Sequence, residues 1–220
     1  MSEYKIRNAI ETDIPFLADA VIAGEKGATD KCNFSTLFNL SEDKVKEYII
    51  SMFEEEIEGC EFSLSSYFVV EFEGKPVASF GGWIEGFEGE MPSKILKSNL
   101  INYTFSKESI DFLKTKAEIV KELIIERTPQ TLQFEYLYVS SDHRGKKLPS
   151  LLINKIEETA LSKDPQLKIA EFQLFSNNVV IVKLFEKHGY KVVRSIKADN
   201  LEILNHLPSN EKLIMEKTFQ

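Results

Sequence analysis

Apolar and polar positions alternate in a way that divides the chain into short strands and amphipathic helices along its length. Lys5 to Ala9 reads as a strand, and Glu11-Thr12-Asp13 then supplies a helix start that tolerates Pro15 in its first turn. Ile14, Leu17, Ala18, Val21 and Ile22 recur at helical spacing until Gly24, which is read as the stop. A second helix is expected from Ser41 to about Glu58, with Val45, Tyr48, Ile49, Met52 and Phe53 on one face and a solvated acidic end. Tyr67 to Phe72 and Val77 to Trp83 are strand-like, and Glu73-Gly74-Lys75-Pro76 between them has the composition of a hairpin turn. Ile110, Leu113, Ala117, Val120 and Ile124 then mark helical periodicity within a stretch from 88 to 130. No Pro/Gly/Ser linker flanks that stretch, so it reads as a helical insertion in a single domain spanning 1–220. Leu132, Phe134, Tyr136 and Tyr138 alternate with Gln133, Glu135, Leu137 and Val139, so the strand sends Gln133 and Glu135 to one face. Lys168 to Phe175 is a further strand, and Tyr190 to Ile196 and Lys212 to Phe219 are the last two. Between them, Val179 to Val182 are all β-branched and favour a strand by propensity, but an Asn cap before them and His188-Gly189 after them decide for a helix.

Composition narrows the classes of partner. The chain has 220 residues, 43% of them hydrophobic, which is enough for a sizeable core. Its net charge of −8 repels nucleic acid and anionic membrane surfaces and suits a cationic partner better. Cys32 and Cys60 lack metal-ligand spacing and read as reduced structural thiols. His143, His188 and His206 form no ligand cluster with them, so no metal is expected. The polar start MSEYKIRNAI and the lack of a long apolar run lead to the expectation of a soluble, cytoplasmic protein.

Candidate chemistry begins after Val139. Ser140 to Lys147 is a polar, Gly-containing turn, and Pro149 with Leu148, Leu151, Leu152, Ile156 and Ala160 signals a helix opening directly from it. Unpaired N–H groups at such a start attract anions, and Arg144, Lys146 and Lys147 add formal charge. A merely solvated basic loop has the same composition.

The segment Arg144-Gly145-Lys146-Lys147-Leu148-Pro149 falls on the frame of an acetyl-CoA loop, Arg or Gln, two variable residues, Gly, one residue, then Gly or Ala. Asn178, Leu184-Phe185 and Gly189-Tyr190 fall on a later motif of the same family. On these residues the chain resembles the GCN5-related N-acetyltransferase (GNAT) superfamily. The resemblance implies an α/β (α+β) fold with a mixed, mostly antiparallel sheet of six to seven strands, the helical insertion lying between the third and fourth. It also implies acetyl-CoA as co-substrate and an amine as acceptor, with neither nucleic acid nor membrane as partner, and leaves a homodimer open. By resemblance, Leu137, Tyr138 and Val139 would pair with the pantetheine arm through their backbone. Arg144, Gly145, Lys146, Lys147, Leu148, Pro149 and Ser150 would hold the diphosphate, and Asn178 and Phe185 would line the rest of the CoA site. Asn178 has a second reading as a plain helix cap.

The chain departs from the family pattern at named positions. Lys147 and Pro149 stand where small residues let the backbone approach the diphosphate, and Pro149 has no N–H to donate. Phe185 replaces a Tyr that in many relatives protonates the leaving thiolate. Glu135 is the first candidate for the base that deprotonates the amine, with a salt-bridged strand carboxylate as the alternative, while Gln133 can only hydrogen-bond. Glu85, Glu88 and Glu90 near the expected pocket rim lean towards a cationic small-molecule or peptide acceptor, and Trp83 is read as core rather than substrate platform. The insertion is read either as a wall of the acceptor pocket or as a packing decoration. Against transfer of acetyl to an amine stands a non-catalytic or regulatory acyl-CoA-binding module, which Pro149, Lys147 and Phe185 favour.

Overall fold

The computed structural model describes residues 3–220; Met1 and Ser2, at the start of the polar N-terminus, lie outside the described residues. Seven strands form one sheet in the order β1-β2-β3-β4-β5-β7-β6. They are β1 Lys5–Asn8, β2 Tyr67–Phe72, β3 Lys75–Ile84, β4 Leu132–Val139, β5 Ile169–Phe175, β6 Lys191–Lys197 and β7 Glu211–Thr218. Every neighbouring pair is antiparallel except β4 with β5. The helices are α1 Ile14–Lys26, α2 Asn33–Phe38, α3 Glu42–Glu54, α4 Ser93–Thr104, α5 Lys107–Val120, α6 Leu148–Lys163 and α7 Val179–Lys187. Among the described residues no helix is long and apolar enough to cross a membrane.

The β2–β3 turn is tighter than the four-residue reading, because Glu73 at φ 51° and Gly74 at φ 77° alone connect the strands. Positive φ at both central residues matches the turn's twist to that of the strands. Ser41 caps α3 by accepting from the Lys44 N–H, and the helix ends at Glu54 rather than near Glu58. Gly24 does not stop α1: the helix continues to Lys26 and closes on Gly27, whose φ of 56° suits a residue without Cβ. The short helix α2 has no counterpart in the sequence reading, since six residues are too few to show periodicity.

Two cores cover the two faces of the sheet. On one face α6 buries Leu148, Leu152, Ile153, Ile156 and Ala160 against β2, β3 and β4. There the ring of Phe185 from α7 stacks on Phe172 with centroids 4.2 Å apart and meets Phe80, Phe134 and Tyr190 edge-on. Each such side chain removed from water contributes about 1.5–3 kcal/mol. On the other face α1, α2 and α3 bury Leu17, Val21, Phe34, Phe38, Val45, Ile49 and Phe53.

β4 does not keep a simple alternation. Its pairing with β3 shifts register between Ser79 and Gly81, and Tyr136 sits at φ 57° in the resulting bulge. Leu132 and Phe134 face the α6 core, yet Tyr136 turns to the opposite core and Leu137 and Val139 pack on the α6 side. Tyr138 meets Phe16 edge-on on the α1 side. The alternation read from the sequence is therefore correct as far as Glu135 and inverted beyond it.

Candidate active site

The bulge lies where the sheet opens. β4 and β5 are paired only from Leu132–Ala170 to Phe134–Phe172, so beyond Phe134 the edge of β4 facing β5 has no strand beside it. A cleft of about 360 Å³ occupies the gap, lined by Glu135, Tyr136 and Leu137 from β4, Gln173 and Leu174 from β5, and Asn178 just before α7. A free strand edge offers alternating N–H and C=O groups to an extended ligand. Asn178 makes no capping hydrogen bond with its side chain, so its amide is not spent on the helix that follows.

A second cavity of about 700 Å³ adjoins the cleft. Its walls include Lys97, Ile101 and Asn102 of α4, Ile110 and Leu113 of α5, and Ile125 to Arg127 beyond them, so the 88–130 insertion supplies one side. Glu135, Gln173, Lys97, Ile124 and Lys212 line both spaces and mark their junction.

Charged groups converge at that junction from five segments. Arg127 donates from Nη2 to Glu135 Oε1 at 2.8 Å and from Nη1 to Gln133 Oε1 at 3.1 Å. Its guanidinium lies 4.7 Å from the Trp83 ring centroid. Glu61 Oε1 accepts from Lys97 Nζ at 2.9 Å and lies 3.6 Å from Arg127, while its Oε2 is buried without a hydrogen-bond partner. Burial opposes a charge on Glu61, but Lys97 and Arg127 outweigh it and hold the carboxyl below the usual carboxylate range. Glu135 moves the other way: burial pushes its carboxyl up, Arg127 opposes, and the nearby Glu61 charge adds to the rise. A carboxylate raised in this way is a better proton acceptor than a solvated one. The alternative reading of Glu135 as an ion-paired carboxylate also holds, because the Arg127 pair is present. Lys212 is lowered from its ordinary value by burial, with Glu135 opposing.

Gln133 donates to Thr131 Oγ1 at 2.6 Å while accepting from Arg127, which fits its expected role as hydrogen-bonding partner only. Tyr136 donates to Glu25 Oε1 at 2.6 Å, tying the bulge to α1. Trp83 is buried, as expected, and donates to Glu85 Oε2 at 3.0 Å.

The polar turn after β4 is exposed from Arg144 to Lys147, next to the end of the strand. Arg144 Nε reaches the Val139 carbonyl at 3.4 Å, Gly145 has φ 76°, and Lys147 sits at φ 61° as the residue preceding α6. That left-handed φ explains why glycine suits the Lys147 position, and Lys147 adopts it at a cost of about 1–2 kcal/mol. The helix begins at Leu148, which places Pro149 second in its first turn rather than first. Leu148 is fully buried, and the Ser150 hydroxyl is 2.9 Å from His188 Nε2. Phe185 is fully buried in the aromatic core, with Phe172, Phe80, Phe134 and Tyr190 around its ring.

Arg127, Lys97, Glu61, Lys212 and Glu25 escaped the sequence reading. They sit on separate segments, and no spacing rule links an α4 lysine or a loop arginine to a β4 carboxylate. The only local signal was Gln133 and Glu135 on one strand face, which required polar partners from elsewhere.

Comparison with known proteins agrees with this geometry. Residues 35–190 match the model of the acetyltransferase (GNAT) family. A search of functionally curated proteins finds no match. Among solved structures, an N-acetyltransferase from Staphylococcus aureus Mu50 superposes with a TM-score of 0.65 at 15% identity, covering 97% of this chain and 100% of that one. A polyamine N-acetyltransferase from Drosophila melanogaster gives 0.56 at 14% identity, covering 99% and 100%. A ribosomal-protein-alanine N-acetyltransferase from Brucella melitensis gives 0.54 at 15% identity, covering 98% and 99%. At these identities the structural matches speak for the fold, and the family match over most of the chain decides membership: the chain belongs to the acetyltransferase (GNAT) family.

Proposed function

We propose that the chain transfers an acetyl group from acetyl-CoA to the primary amine of a small-molecule or peptide acceptor, by direct attack of the amine on the thioester. The observation that carries this reading is the junction of the β4–β5 cleft with the insertion-walled cavity, at the half-buried carboxylate of Glu135. The β4 edge beyond Phe134 would receive the pantetheine arm through the backbone of Leu137, Tyr138 and Val139. An N–H of that edge would polarise the acetyl carbonyl, stabilising the oxyanion that forms when the amine adds. The first-turn N–H groups of α6, with Arg144, Lys146 and Lys147, would hold the diphosphate; Pro149 subtracts one donor from that set. Asn178 would contact the CoA chain at the base of the cleft.

An aliphatic amine of pKa about 10 is mostly protonated near neutrality, so a base must take its proton before or during attack. Glu135, whose carboxyl burial pushes up, is the group for that step. Attack forms the C–N bond, collapse of the tetrahedral intermediate breaks C–S, and CoA leaves as a thiolate, which takes its proton from solvent afterwards. A dedicated acid is not required for such a leaving group, which accommodates Phe at position 185. The test is CoA release from acetyl-CoA across a panel of amines. Amine-dependent turnover that Glu135→Gln lowers supports the assignment; tight CoA binding with no amine-dependent turnover for any acceptor would favour the binding-module reading instead.

A further inference from the structure

The charges that line the acceptor cavity do not balance in the sense expected from the whole protein. In a chain of net charge −8 the cavity wall carries five basic side chains and four carboxylates. Each of those carboxylates has at least one partner in the wall, although Glu61 Oε2 has none and Glu135 still borders the cavity. Glu61 is held by Lys97 and Arg127, Glu135 by Arg127, Glu126 by Lys94, and Glu85 by Trp83 Nε1 and the Ser93 N–H. Of the rim carboxylates that suggested a cationic acceptor, Glu85 is buried and satisfied, and Glu88 and Glu90 are exposed and do not line the cavity.

Among the basic groups the accounting differs. Lys94, Lys97 and Arg127 are paired within the cavity wall, and Lys114 pairs with Asp111. Lys212 has no carboxylate within ion-pairing distance among the described residues; its ammonium lies 5.0 Å from the Phe175 ring centroid. Half-buried on β7, it borders both spaces, as Glu135 does. A half-buried cation without a counter-ion is costly unless a ligand supplies the charge. The wall beyond, built from Ile101, Ile110, Leu113 and Ile125, is apolar.

Resting on the acetyl-transfer reading above, we infer that the acceptor is a zwitterionic amino acid with an apolar side chain. Its amine meets Glu135, its carboxylate pairs with Lys212, and its side chain lies along the insertion helices. Glu135 and Lys212 border the same junction, so the groups they take must be neighbours on one small molecule. A cavity of about 700 Å³ holds a molecule of that size.

The experiment uses the full chain with acetyl-CoA and matched acceptors that differ only in the carboxylate: leucine against 3-methylbutylamine, and phenylalanine against 2-phenylethylamine. The expected result is a kcat/KM at least about tenfold higher for the carboxylated member of each pair, the scale of one charge-assisted ion pair. Lys212→Met should raise KM for the amino acid by about tenfold and collapse the discrimination while KM for acetyl-CoA holds, and Lys212→Arg should retain the preference. Equal or greater activity on the decarboxylated amines overturns the inference, as does discrimination that persists in Lys212→Met or a KM effect on acetyl-CoA in place of the acceptor. Calorimetric titration of leucine into the CoA complex separates the two layers of the argument. Lys212-dependent binding without turnover upholds the carboxylate site and removes acetyl transfer, whereas turnover of amines with no Lys212-dependent binding of leucine removes the carboxylate site alone.

Discussion

Replacing Gly24 by Ala tests how tightly α1 is pressed onto the bulge of β4. A glycine near the end of a helix is normally a weak point, and alanine there gains about 0.5–1 kcal/mol in helix propensity. Here a Cβ on Gly24 would meet Tyr136 Cδ1 at 2.6 Å and its Cα at 3.6 Å. Carbon atoms do not approach so closely, so one of them must move. The ring is poorly able to do so, because its hydroxyl is bonded to Glu25 at 2.6 Å and its backbone is fixed at φ 57° in the bulge. Overpacking of this kind costs about 1–3 kcal/mol, which outweighs the propensity gain and leaves a net loss of about 1–2 kcal/mol. For a chain of this size that lowers Tm by about 2–4 °C per kcal/mol. Denaturant unfolding of Gly24→Ala, Tyr136→Ala and the double variant completes the cycle. In the Tyr136→Ala background the same substitution should become stabilising by about 0.5–1 kcal/mol, because the obstacle is gone. A single variant more stable than the parent, or additive effects in the cycle, would refute the close approach of α1 to β4.

Three further outcomes are expected. Glu135→Gln should lower kcat by about 10²–10⁴-fold with acceptor KM little changed; in the parent, kcat/KM should fall with decreasing pH through a value above the ordinary glutamate range of about 4.3, since the raised carboxyl must be ionised to act, and the variant should lack that limb. Arg127→Met should destabilise by about 3–5 kcal/mol in denaturant titrations, because buried Glu61 and half-buried Glu135 lose their shared partner; an unchanged midpoint would mean that the network is solvated. Pro149→Ala restores an N–H in the first turn of α6 and should tighten CoA about tenfold by calorimetry, the scale of one hydrogen bond to a charged oxygen; equal affinity would place the diphosphate away from that turn.

The fold was legible wherever periodicity was long or chemistry was local. α1, α3 and α6 show apolar repeats over several turns, and the β2–β3 hairpin carries its turn residues at the required positions. The starts of α6 and α7 were readable because Pro149 and Asn178 each lie at the opening of the helix they signal. What failed did so for tertiary reasons. Gly24 looked like a stop because sequence shows a missing side chain but not the ring that requires it to be missing. Tyr136 looked like the next step of an alternation because a bulge leaves the spacing of residue types untouched while reversing the faces. The motif position of Phe185 likewise says nothing of the four aromatic rings that surround it. Arg127, Lys97 and Lys212 come together only when the insertion folds back over the sheet, a juxtaposition that composition cannot express.

The parting of β4 from β5 also has a thermodynamic consequence. A sheet that leaves one of its central ladders incomplete has deferred part of its own stabilisation to whatever lies in the gap. If acetyl-CoA is that occupant, resistance to unfolding becomes a function of cofactor supply, rising by about 2.7 kcal/mol when the free ligand stands at about a hundred times its Kd. Backbone amides along β4 after Phe134 should then exchange with solvent as those of an edge strand when the cleft is empty and as those of an interior strand when it is filled. The lifetime of the folded chain would thus follow the acyl-donor concentration around it.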